Sequence, residues 1–176
     1  MSQPVLPEPD AKDWTWTLSR ACPECGFSAG EVSVAEVADI VEDTAVRFAA
    51  RLQAPDAAAR PEPATWSPVE YACHVRDVCA IFDGRFRQLL SDDDPMFTNW
   101  DQDETAARDR YWEQLPPRVA DELTGSAGPL ATMLRAIRDD ELQRPGRRDN
   151  GSVFTVATLA QYLAHDFVHH LHDVGA

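Results

Sequence analysis

Lysine, long apolar runs and paired cysteine motifs are all scarce in this chain, and each scarcity excludes something. Of 16 basic residues only Lys12 is a lysine, and the 30 acidic residues outnumber them to give a formal charge of −14. A field of that sign repels phosphate backbones and anionic lipid, and no basic stripe offsets it locally, so neither nucleic acid nor a membrane is an expected partner. No apolar run approaches the roughly 20 residues of a membrane span. The opening "MSQPVLPEPDAKDW" has no basic head and no apolar stretch, which argues against a secretory signal and for a cytoplasmic protein. Cysteines number four, at 22, 25, 73 and 79, and without a secretory signal they are expected to be reduced. "CPEC" has the spacing of a zinc knuckle, but zinc wants four ligands and no second C-x2-C follows. Buried or half-buried thiols are therefore the expectation, ahead of a structural zinc or a redox pair.

What is present is a helical pattern. With 176 residues, 44% of them hydrophobic and 26% charged, the chain suits one soluble domain with a proper core. Residues 1–30, holding Trp14, Trp16, Pro23 and Gly26, show no sustained period and read as an arm laid on the domain formed by residues 31–176. "SVAE" at Ser33 and "SPVE" at Ser67 are capping boxes, starting helices expected to run to about Gln53 and Leu90. The acidic segment "NWDQDETAARDRYWEQ" predicts a short helix outside the core. A third long helix spans 116–142, with Gly125, Gly128 and Pro129 as points of bending or breakage. "QRPGRRDNGS" reads as a turn-rich loop, and a last helix covers 155–173. No segment alternates as a strand does, so the fold class is all-α, a four-helix bundle with a long crossover.

Histidines then draw attention, because four of the five fall in the last helix, at 165, 169, 170 and 172. At 100° per residue the fifth, His74, shares the core-facing stripe of its helix with Tyr71, Val78 and Phe82. A neutral core histidine held by one hydrogen bond accounts for it as well as a metal ligand does. His165 and His169 stand at i and i+4, where two imidazoles can meet one ion. From Asn150 to the C-terminus there is no Lys, Arg or Glu. A face built of Thr158, Gln161, Tyr162 and histidines suits a lined cavity better than open water. His170 falls to one side, beside Asp166 and Asp173, as an outer partner or a surface residue. Imidazole suits Zn, Ni, Fe or Cu.

"WSPVEYACHVRDV" and "FTVATLAQYLAHDFVHHLHDV" resemble the second-helix and last-helix motifs of the DinB-like superfamily, over residues 33–174. That resemblance implies a four-helix bundle gathering a divalent metal, zinc or nickel, on His74, His165 and His169. The chain also resembles the mycothiol-dependent branch, with its S-transferases and maleylpyruvate isomerase-like members, in some of which one helix ligand is Glu. The implied function is a metal-dependent thiol transferase or thiol-dependent isomerase. It takes mycothiol or a similar thiol as co-substrate and acts on a small electrophile, and homodimers are the family habit. Tyr162 and His172 are the candidates for orienting the electrophile or moving a proton. Asp166 and Asp173 are candidates for holding ligand imidazoles in one tautomer, and Asp101 for lining the pocket mouth or capping a helix. A non-catalytic metal- or small-molecule-binding bundle and a metal-dependent hydrolase are the alternatives.

Overall fold

In a computed structural model, which describes residues 4–5, 7 and 13–176, five α-helices form where the capping and periodicity place them. The remainder of the expected arm lies outside the described residues. Helix α1 (Val34–Arg51) starts on its capping box: the Ser33 N–H donates to Glu36 at 2.7 Å, and the Glu36 N–H returns to the Ser33 hydroxyl at 3.3 Å. Helix α2 (Pro68–Ser91) has proline at its first position, and Glu70 accepts from the Ser67 N–H at 2.9 Å. Glu70 is itself buried, and Arg60 from the α1–α2 connection pairs with its carboxylate.

Helix α3 (Gln102–Arg108) is capped by Asp101, whose carboxylate accepts from the Glu104 N–H at 2.8 Å. Helix α4 (Pro116–Ala136) runs unbroken through Pro129, and it stops earlier than expected. The acids Asp139, Asp140 and Glu141 would have sat at the negative end of its dipole; they begin a separate 3-10 turn instead. Helix α5 (Val156–Asp173) is capped by Thr155.

Helices α1 and α2 pack on α4 and α5 and touch each other little, so consecutive helices stand diagonally across the bundle. The connection over residues 52–67 makes that crossing. Phe48, Phe86 and Phe167 are fully enclosed between the helices; burying each such ring is worth about 2–3 kcal/mol.

Two regions differ from the sequence reading. The segment around α3 joins the core: Tyr111 is fully enclosed, and its hydroxyl donates to Asp77 on α2. The turn-rich loop is a hairpin, in which β2 (Pro145–Arg148) pairs antiparallel with β3 (Val153–Thr155) and parallel with β1 (Met96–Phe97). Its turn uses Gly151 at φ +96°, a conformation open to glycine. Gly146 is needed for another reason, since a Cβ there would come within 2.4 Å of the Leu89 side chain. The sheet is minor, but it ends where α5 begins and so anchors that helix. No helix among the described residues is long and apolar enough to cross a membrane.

Candidate metal centre

Helix α5 carries two pairs at i, i+4 spacing, offset by one residue: His165 with His169, and Asp166 with His170. An offset of one turns the second pair by 100°, enough to face a different neighbour. The structure exploits that offset, and it divides the triad expected from the sequence. His74 of α2 gathers with Asp166 and His170, ligand atoms all within 4.8 Å of one another. His165 and His169 gather instead with Cys22 and Cys25 of the arm, within the same radius. Among the described residues no such group unites His74 with His165 and His169.

In the first cluster His74 Nε2 lies 3.6 Å from Asp166 Oδ2, and His170 Nε2 lies 3.7 Å from Asp166 Oδ1. Donors around a tetrahedral ion at 2.0–2.1 Å stand about 3.4 Å apart, so the spacing is close to a first coordination shell. Both ring nitrogens of His74, which is 1% exposed, and Asp166 Oδ2 are buried with no hydrogen-bond partner among the described residues. Buried polar atoms are paired as a rule, and leaving one unpaired costs about 1–3 kcal/mol. A divalent cation among them would satisfy His74 Nε2 and Asp166 Oδ2 together, so the residues fit a metal.

The ring positions are held from outside. Asp173 accepts from His170 Nδ1 at 2.8 Å, the carboxylate–imidazole arrangement that leaves Nε2 toward Asp166. Trp100 stacks on His74 with centroids 5.4 Å apart and planes at 12°. Burial alone would raise the Asp166 carboxyl, but the imidazoles of His170 and His74 more than offset it and hold it at about 2. It is a carboxylate at neutral pH, as a ligand must be.

A cavity of about 310 Å³ opens on this cluster, lined by Asp166, His170, Trp14, Trp66 and Tyr162 among others. A second, of about 390 Å³, adjoins it and shares Pro7, Trp66 and Asp103. Tyr162 therefore faces the space where a substrate would sit. Burial pushes its hydroxyl up while Arg148 pulls it back, and the Arg148 guanidinium lies over its ring at 5.2 Å. His172 is exposed and outside both cavities, so the geometry gives it no catalytic part. Asp101 combines the two roles weighed for it, capping α3 and lining the second cavity. Sequence reasoning placed Asp166 and His170 outside the ligand set. The D-x3-H spacing was visible, yet it competed with an H-x3-H pair one residue away.

The fold and this cluster define a helical bundle whose buried imidazole and carboxylate donors meet at a cavity floor. The DinB superfamily model matches residues 29–174, and the chain belongs to that superfamily. Among solved structures it is similar to YfiT from Bacillus subtilis, described as a probable metal-dependent hydrolase with an unusual four-helix bundle topology. The TM-score is 0.69 at 16% identity, covering 78% of this chain and 81% of that one, a likeness of fold. No curated protein matches the sequence.

Proposed function

We propose that the protein is a metal-dependent enzyme that activates a low-molecular-weight thiol for attack on a small electrophile. The observation that carries this reading is the set of buried donor atoms of His74 and Asp166 that have no hydrogen-bond partner among the described residues, with Asp166 lining a cavity. A divalent metal held by His74, Asp166 and His170 would supply Lewis acidity and favour the thiolate form of a bound thiol. The protein's own residues do the rest. Asp173 and Trp100 fix the two imidazoles. Trp14 and Trp66 wall the cavity against water. Tyr162, kept protonated by its burial, acts as a hydrogen-bond donor to oxygen on the electrophile.

Two features favour a thiol over water as the nucleophile. The adjoining cavities provide separate room for two reactants. Among the described residues the first is lined by Glu24, Asp103, Asp166 and Asp173 and by no Lys or Arg, so it suits a hydroxyl-rich thiol without carboxylates, such as mycothiol, and disfavours an anionic peptide thiol. A second reading, metal-dependent hydrolysis, is favoured by the donor set itself, since two imidazoles and one carboxylate also serve hydrolytic zinc. The test is a panel of thiols with a generic electrophile and metal-loaded protein. Turnover that requires a thiol and disappears in His74→Ala supports the proposal. Thiol-independent ester or amide cleavage would replace it with the hydrolase, and metal binding without turnover would leave a binding protein.

A further inference from the structure

The second cluster on α5 adjoins the first, its His165 and His169 lining the same cavity, and has donors of another kind. Its cysteines belong to "CPECG", a turn in which the Gly26 N–H donates to the Cys22 carbonyl at 2.8 Å and the Cys22 N–H to the Phe27 carbonyl at 2.9 Å. Gly26 takes φ +75°, which lets the chain double back just after Cys25. The hairpin brings the two thiols side by side. Burial pushes the Cys25 thiol up, a hydrogen bond from the Phe27 N–H pulls it back, and the adjacent Cys22 thiol adds to the rise.

Opposite them, His169 Nδ1 lies 3.7 Å from Cys22 Sγ, both groups being buried. Around a tetrahedral zinc, with bonds of about 2.3 Å to sulfur and 2.0–2.1 Å to nitrogen, those two atoms would stand about 3.6 Å apart. The other nitrogen of His169, Nε2, lies 3.5 Å from Glu24, one of the two residues between the cysteines. Metal-bound histidine commonly has that outer carboxylate. His165 keeps a buried Nε2 with no hydrogen-bond partner among the described residues. Burial and the neighbouring His169 push its imidazole down to about 4, so it is neutral and has a lone pair to give.

We propose that Cys22, Cys25, His165 and His169 form a closed, structural zinc site that fastens the N-terminal arm to α5. The spacing is C-x2-C with H-x3-H, the Cys2His2 set, with most of the chain between the halves. Binding forms two Zn–S and two Zn–N bonds, and the two thiol protons pass to solvent. All four positions are taken by protein, so this ion has no open place for substrate. Its work is to hold a wall: Trp14, whose ring lies 5.3 Å from that of His169 and 5.6 Å from that of His165, and Glu24 both line the cavity above the first centre. The Gln161 side-chain amide donates to the Gly30 and Val32 carbonyls at 3.1 Å each, tying the far end of the arm to the same helix.

The inference stands independently of the thiol chemistry, and so does its test. Full-length protein is loaded with Co(II) and its absorption compared with that of Cys22→Ser/Cys25→Ser and of His74→Ala. The proposal expects thiolate-to-cobalt charge transfer and tetrahedral d–d bands in the parent and in His74→Ala. The double-serine variant should lack the charge-transfer band and hold one ion fewer per chain. Should that variant fail to fold, alkylation of the parent decides. Cys25, half-buried, should resist iodoacetamide in the zinc form and react once a chelator is added. No sulfur band in the parent, unchanged metal content in the double variant, equal alkylation with and without chelator, or a Cys22–Cys25 disulfide in the purified zinc-grown protein would each overturn it.

Discussion

Two pairs of side chains leave α5 at the same spacing and one residue out of phase, and they meet different company. Asp166 and His170 look across the bundle to His74, in a cluster that uses oxygen and nitrogen donors and opens on a cavity. His165 and His169 line the same cavity but meet the arm, whose cysteines offer sulfur in place of oxygen. One helical step separates a nitrogen–oxygen donor set from a nitrogen–sulfur one, and donor type governs which ion and which role each suits. Asp173 lies between them: one carboxylate oxygen is 2.8 Å from His170 Nδ1 and the other 3.8 Å from His169 Nε2.

The sharpest way to separate the two regions is His74→Ala. Loss of an outer partner alone costs a metal site roughly 10–100-fold, so loss of a ligand is expected to reduce turnover by more than ~100-fold, read by steady-state assay, with the arm still fastened. Next in size is Cys22→Ser/Cys25→Ser, which should lower Tm and speed proteolysis within the arm while the cavity-floor ion stays. A double variant as inactive as His74→Ala, and lacking the same ion, would merge the two sites into one. Asp173→Asn tests the shared residue. It should weaken metal affinity at the His170 centre by roughly 10–100-fold and leave the sulfur-ligated ion in place, read by chelator competition. Tyr162→Phe removes one neutral hydrogen bond of about 1 kcal/mol, so kcat should fall several-fold with little change in KM. His172→Ala, at an exposed position, should shift stability by no more than about 0.5 kcal/mol and leave turnover unchanged. A large loss there would show that the cavity has been drawn on the wrong face.

The helices were legible because their signals are local. Ser33 with Glu36, Ser67 with Glu70, and Pro68 each act within one turn, and α1, α2 and α5 start within a residue or two of where they point. The hairpin was missed although "DNG" is a turn signal, since its strands are too short to show alternation. Tyr111 was placed outside the core because its partner Asp77 lies far away in sequence. The grouping of the histidines was harder to read. Periodicity puts 165/169 and 166/170 on adjacent faces of one helix and cannot say which face meets α2. What decides it is the destination of the arm. C-x2-C and H-x3-H together spell a Cys2His2 set, but most of the chain separates the two halves.

The central claim is that α5 serves two different ions, and metal analysis of His170→Ala beside His165→Ala tests it most directly. The account predicts that His170→Ala retains a sulfur-ligated zinc and loses the cavity-floor metal, while His165→Ala does the reverse. If both substitutions remove the same single ion, the division of the helix into two metal faces is contradicted.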